Sequence, residues 1–289
     1  MNILKKLKPA IGTMRLGSWG ADMSPREVAN FLTSCVDLGC KDIDLADIYG
    51  DHSVNKLIGQ ALAIAPELKR SCNFIAKIGV ARKCAAFPAR KINFYDSSDQ
   101  ALKTAFENTL RDLNVESVQT LMIHRFDYLT DFHALARCVG DILASGKAKN
   151  FGISNCNLSI CSAIGDILPV SSNQFQLSLA HPTPVLTGDA SHFSKLGLDV
   201  MAWSPLGAGT LLDAKESRVF KKAERIAKKY DVSVPEIFFA WVYKCPSTRP
   251  VTGSSKIERI KQAASARDIE LTHEEWYQLL EASRARGVD

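Results

Sequence analysis

Four side chains that could share one piece of proton chemistry stand at the ends of apolar runs. In DIDLADIYGDHSVNKLIGQAL (residues 42–62), a strand-like run through Ile43, Leu45 and Ala46 carries Asp44, and Tyr49 follows just before the Gly50-Asp51 turn. Lys77 lies near the end of the next run, NFIAKI, and His124 near the end of TLMIHR. A phenol has an ordinary pKa of about 10, too high to exchange a proton readily near neutrality. A nearby ammonium favours the phenolate and lowers that value. A buried lysine needs an anionic partner to stay charged, and Asp44 can supply it. A histidine can hydrogen-bond a substrate carbonyl and direct it towards the phenol. Such a set protonates a carbonyl oxygen while another reagent attacks its carbon. Each residue alone also has a plain structural reading, as a turn aspartate, a solvated lysine or a core histidine. Asp47 and Asp51 carry only the turn reading here. Lys77 as a Schiff-base nucleophile of a barrel lyase is a further alternative.

The elements that would position these groups alternate from end to end. Strand-like runs occupy 9–14, 42–46, 73–78, 120–125, 150–154, 172–176, 199–204 and 250–254, with helix patterns between them. Ser24-Pro-Arg-Glu27 predicts a capping box with proline at the first helical position. The spacings Ser233/Glu236, Ser255/Glu258 and Thr272/Glu275 repeat the device. Eight strands alternating with helices predict an α/β protein of (β/α)8 TIM-barrel type, in one domain over 1–289. Two helices, about 217–229 and 273–284, are surplus to the repeat. A doubly wound sheet would carry a G-x-G-x-x-G turn after its first strand, and none is present. In a barrel, chemistry sits at the C-terminal strand ends, and the four residues fall at that end of three successive strands.

Composition narrows the classes. The 289 residues are 46% hydrophobic and 23% charged, as in globular proteins. There is no run of about 18 apolar residues, so no membrane span is expected. The stretch MNILKKLKPAIG lacks the apolar core of a signal peptide. The eight cysteines form no C-x-x-C pair, which predicts reduced cysteines in a cytoplasmic protein, with no metal and no disulfide framework. The net charge of +5 suits an anionic small ligand better than a nucleic acid.

Seven segments in order, D-x-A-D-I-Y-G at 44–50, Lys77, LMIHR at 121–125, FGISN at 151–155, NQFQ at 173–176, AWSPLGAG at 202–209 and GSSKIERI at 253–260, resemble the aldo-keto reductases. The resemblance is nearest to a bacterial oxidoreductase branch. It implies Asp44, Tyr49, Lys77 and His124 as a catalytic tetrad, with Tyr49 the general acid, and reduction of aldehydes or ketones. It implies NADPH/NADP+ as cofactor, bound extended without a Rossmann fold. Trp203 then stacks on the nicotinamide, and Ser154, Asn155 and Gln176 hold its carboxamide. Gly12, Thr13 and Met14, and Ser204, Pro205, Leu206 and Gly207, are implied as further cofactor contacts, the loop after strand seven lying along the pyrophosphate. Gly253, Ser254, Ser255, Lys256 and Arg259 are implied to bind the adenosine 2′-phosphate. Ser255 is the expected N-cap of the next helix, whose free N–H groups and dipole suit an anion. Trp19, Tyr49 and His124 are implied to contact a small carbonyl substrate. The 80–98 loop, with Phe87, Phe94 and Tyr95, is expected to cover the pocket.

The chain departs from the pattern at Gln262 and Ala263, where many relatives place Glu-Asn facing the adenine, and at Phe126, where close relatives often have proline. It also ends soon after the last helix, which predicts an open substrate pocket. A nucleotide-binding regulatory or redox-sensing subunit of a larger partner is the other reading of the same fold. The intact tetrad weighs against it.

Overall fold

In the computed structural model of the protein, residues 7–284 are described. The expected eight strands form: β1 (Ala10–Gly12), β2 (Asp42–Ala46), β3 (Asn73–Ile78), β4 (Val118–Ile123), β5 (Ala148–Ser154), β6 (Ser172–Gln176), β7 (Asp199–Trp203) and β8 (Thr248–Thr252). They follow one another in chain order around a closed barrel. Every barrel pairing with a recorded register is parallel, such as Ala46 with Lys77 and Ile75 with Thr120. Parallel strands are covered on both faces, so they read as near-continuous apolar runs. Ile43, Leu45, Ala76, Ile78, Leu121 and Met122 are accordingly fully buried.

The strands are shorter than the apolar runs at several ends. β1 stops at Gly12, β4 at Ile123 and β8 at Thr252, so Thr13, Met14, His124, Arg125 and Gly253 lie just beyond the ladder. Thr13 and His124 still donate their amides to the neighbouring strands, to the carbonyls of Asp44 and Ile78. The 80–98 loop contains a structure that the alternation does not reveal. Val80–Ala81 pairs antiparallel with Phe94–Tyr95, leaving residues 82–93 as the tip of a hairpin. Two residues per strand are too few for a period-two signal.

The main helices are α1 (Pro25–Asp37), α2 (Val54–Ile64), α3 (Asp99–Leu113), α4 (Phe132–Ala144), α5 (Leu158–Gly165), α6 (Arg218–Tyr230), α7 (Val234–Lys244), α8 (Ile257–Ser265) and α9 (His273–Arg284). The two surplus helices are α6 and α9. Three predicted capping boxes form. Ser24 N–H donates to Glu27 at 2.7 Å, Ser233 N–H to Glu236 at 2.9 Å and Thr272 N–H to Glu275 at 2.8 Å. The fourth, Ser255/Glu258, does not. Glu258 is taken by Lys261 at 3.0 Å, and the Lys256 N–H donates to Ser254 Oγ at 3.1 Å. The chain leaves β8 in a tight turn, so Ser254 reaches the free amide first. The Ser254 bond closes a local turn just ahead of α8, which begins at Ile257.

Contacts group the chain into two compact units: Ile11–Asn173 with Gly253–Ile257, and Met1–Ala10 with Gln174–Thr252 and Glu258–Asp289. The first holds β2–β5 and α1–α5. The second has its own clasp. Trp241 and Trp276 stack with centroids 5.0 Å apart and planes within 5°, and each indole N–H donates to the other residue's carbonyl, at 3.2 and 3.0 Å. Beside them Glu275 accepts from Lys229 at 2.7 Å and from Tyr230 at 2.8 Å.

Candidate active site

The four residues singled out for proton chemistry all belong to the unit built on Ile11–Asn173. Ile75 pairs with Asp44, and Lys77 with Ala46. Side chains alternate along a strand, so Asp44 and Lys77, two places apart on neighbouring strands, project to the same face. There Lys77 Nζ donates to Asp44 Oδ1 as a buried ion pair, with side-chain exposures of 0% and 3%. Thr13 fixes the strand that carries Asp44: its N–H and its Oγ1 both donate to the Asp44 carbonyl, at 3.1 and 2.9 Å. Thr13 is wholly buried and its hydroxyl is committed to this bond, so its place is structural. Met14, next along, is 40% exposed.

Tyr49 completes the group from the turn after β2. The Lys77 ammonium lies 5.4 Å from the centroid of its ring. The His124 ring is 6.0 Å away at 88°, and the half-buried Trp19 closes another side at 6.4 Å. Gly50 makes the turn possible, with φ of +56° and no room for a Cβ, which would stand 2.7 Å from Ser53 Oγ.

Burial, then the Asp44 carboxylate, pushes the Tyr49 phenol well above its ordinary value of 10, with Arg125 opposing. The expected lowering by Lys77 does not govern the phenol here. Lys77 is neutralised by Asp44, so the ring sees a nearly compensated pair and little water. Burial also draws Lys77 down from its ordinary value, against the pull of Asp44. His124 is held well below 6.5 by burial, helped by the charges of Lys77 and Arg125, so its imidazole is neutral. Its Nδ1 is buried with no hydrogen-bond partner. The arrangement presents a protonated phenol and a neutral imidazole over a buried lysine–carboxylate pair.

The other expected contacts fall in both units. Ser154 ends β5 and is buried, and Asn155 follows in the left-handed region, with Nδ2 donating to Ser154 Oγ at 2.7 Å. Gly253, Ser254, Ser255 and Lys256 lead into α8. No atom lies within 4 Å of where a Gly253 Cβ would be, and Lys256 is exposed. These belong with the tetrad's unit. Gln176, Trp203, Ser204, Pro205, Leu206, Gly207 and Arg259 belong to the other. Trp203 ends β7, and the chain then turns through positive φ at Ser204 (52°), Gly207 (59°), Ala208 (56°) and Gly209 (105°). A Cβ on Gly207 would meet Ala180 Cβ at 2.9 Å. Arg259 is exposed.

The departures have structural uses. Gln262 donates to Ser233 Oγ at 3.2 Å, and Ala263 is fully buried against Phe239 and Ala266. Neither is shaped to face a ligand. Phe126 stacks on Phe132 at 5.7 Å and meets the edge of Tyr128 at 6.5 Å.

Sequence reasoning missed a set of charged residues around the mouth. Arg82 donates to Asp51 at 2.7 Å and lies 4.5 Å over the Trp19 ring. Arg90 lies 3.8 Å over Phe87, whose ring meets His52 at 4.7 Å. The loop composition drew attention to Phe87, Phe94 and Tyr95, and the arginines between them carried no periodic signal. Among the described residues no group of three or more His, Cys, Asp or Glu could hold a metal. All eight cysteines are free thiols, and seven are buried. No helix of the described residues is long and apolar enough to cross a membrane.

Comparison with known proteins gives the same frame. The chain is 31% identical over 288 residues to the oxidoreductase YdhF of Escherichia coli, covering 96% of this chain and 93% of that protein. It is 29% identical over 271 residues to a 6-dehydroglucose reductase of Agrobacterium fabrum, covering 93% and 91%. Its fold matches a crystal structure of an aldo-keto reductase from Klebsiella pneumoniae in complex with NADPH, with a TM-score of 0.76 and 21% identity over 94% of this chain and 89% of that one. The family model for the aldo/keto reductases matches residues 10–284, and the chain belongs to that family.

Proposed function

We propose that this protein reduces aldehydes or ketones to alcohols with NADPH, with Tyr49 as the proton donor. The observation that carries the reading is the state of the tetrad. Burial keeps a proton on Tyr49, and Lys77 stands 5.4 Å from its ring to stabilise the phenolate left after transfer. Neutral His124 can donate one N–H to the same carbonyl oxygen, which orients the substrate and spreads the charge that develops there. Trp19 walls the site on the substrate side.

The residues present fit the cofactor. The start of α8 offers the open backbone of Gly253 and the exposed cations Lys256 and Arg259, a donor set suited to a 2′-phosphate. Ser204 to Gly207 form a turn through positive φ at Ser204 and Gly207, which the reading places along the pyrophosphate. Ser154 and Asn155, in the tetrad's unit, would hold the nicotinamide end. NADPH when bound supplies the hydride, and the chain supplies position, proton and exclusion of water. The relative named 6-dehydroglucose reductase makes sugar-derived carbonyls a first substrate panel. The test is NADPH oxidation against a broad set of aldehydes and ketones, with Tyr49→Phe in parallel. Turnover that survives in Tyr49→Phe would remove the tyrosine from the acid role.

A further inference from the structure

Arg82 ties the 82–93 segment to Asp51 and Trp19, and a second set of contacts leads from it to His52 and Asp47. The Asp47 N–H donates to the Lys77 carbonyl at 3.0 Å, so its backbone is anchored between two tetrad residues. The His52 ring packs at 4.7 Å on Phe87. Phe87 in turn carries the Arg90 guanidinium at 3.8 Å. Arg90 donates to the Arg82 carbonyl at 3.0 Å, which folds the segment back on itself. Two buried side-chain atoms in this chain of contacts, Asp47 Oδ1 and His52 Nε2, have no hydrogen-bond partner. Arg90, whose charge acts on the Asp47 carboxyl, has no carboxylate in ion-pair contact among the described residues. A buried acceptor left unmade is costly, and a guanidinium is the donor best matched to it.

We infer that Asp47 and Arg90 form a latch: pairing of Arg90 with Asp47 Oδ1 closes the 82–93 segment over the tetrad, and Asp47 is thereby a positioning residue for the substrate side of the site. The inference adds to the proposed reductase function and rests on it only for its kinetic consequence. The charged and titratable groups facing Asp47 are Arg90 from the segment, Lys77 from β3, and Tyr49 and His52 from its own turn. Burial raises the Asp47 carboxyl to about 7, with the amides of Ile48 and Asp47 itself and the charges of Arg90 and Lys77 opposing. The latch needs the ionised carboxylate. Closure is therefore favoured above about pH 7 and released as the proton returns below it. In the closed form the pair lowers the same pKa, which is the linkage that makes the latch respond to pH.

Cys84, half-buried within the segment, is the reporter, since the seven other cysteines are buried. Its alkylation by iodoacetamide is measured in the full-length protein at pH 6 and pH 8, each rate divided by that of glutathione. The expected result is labelling at least threefold slower at pH 8 than at pH 6 in the unmutated protein. In Asp47→Asn and in Arg90→Gln it is fast at both, and Arg90→Lys recovers part of the protection. With a carbonyl substrate, Arg90→Gln raises KM severalfold above pH 7 and leaves kcat within about twofold. Equal normalised rates at the two pH values, or a pH response that persists in Arg90→Gln, overturns the latch. Arg90 lies on a surface loop, so that variant decides the matter even where Asp47→Asn does not fold. The labelling needs no turnover, so failure of the latch and failure of the reductase reading are read separately.

Discussion

In the proposed mechanism Tyr49 and Lys77 do different work, and substitution tests the division. Tyr49→Phe removes the proton donor and should cost roughly 10²–10⁴-fold in kcat, the usual worth of general acid catalysis, while NADPH binding persists. Fluorescence titration of the cofactor beside steady-state rates checks both halves. Lys77→Met should be as damaging, and it also leaves Asp44 buried without its cation, a loss of order 3–5 kcal/mol in stability. Asp44→Asn should be milder in rate, since Asp44 acts on the phenol through Lys77. An unchanged pH–rate profile in Lys77→Met would break the electrical link between the ammonium and the phenol.

At the scale of elements, the start of α8 and the α6–α9 contact carry separate roles. Arg259 is exposed on the first turn of α8, and its proposed target is a phosphate of nearly two negative charges. Arg259→Ala should weaken NADPH binding at least tenfold, about 1.4 kcal/mol, and leave NADH nearly unaffected. Equal losses for both cofactors would move the 2′-phosphate elsewhere. Glu275 ties α9 to α6. Burial pushes its carboxyl up, but bonds from Lys229, the Thr272 amide and Tyr230 outweigh it and hold the value at about 2. A depressed carboxylate stabilises the fold above its ordinary pKa, and that contribution is lost as pH falls from about 4.5 towards 2. Glu275→Gln should therefore cost roughly 2–3 kcal/mol at pH 7, and the gap to the unmutated protein should close by about pH 2–3. Urea unfolding at pH 7 and pH 3 measures it.

For the whole molecule, ligand linkage provides the test. A cofactor that binds only the folded chain stabilises it by about 2.7 kcal/mol at a hundred times its Kd. For a chain of this length that amounts to a rise in Tm of roughly 5 °C. NADPH should give this shift at a concentration where NADH gives little. Matched shifts for the two cofactors would argue against a phosphate-selective site.

The barrel and its two surplus helices were legible in the sequence, because each has a local cause. Buried parallel strands demand continuous apolar runs, and it is in or just after such runs that Asp44, Lys77 and His124 stand out as polar. The caps at Ser24, Ser233 and Thr272 were legible for the same reason, since a capping box is closed within four residues. The cap at Ser255 did not form, and Glu258 pairs with Lys261 instead. The protonation state of Tyr49 was out of reach of pattern. It depends on how much water the fold removes and on Lys77 being neutralised by Asp44, a strand away. Thr13's bond to the Asp44 carbonyl, the aromatic stack at Phe126 and the meeting of Asp47, His52, Phe87 and Arg90 are likewise products of tertiary structure. Hydrophobic periodicity records which residues face the core. It carries no information on which charged residues from distant loops come to share one small, dry space, and there dielectric and distance set the chemistry.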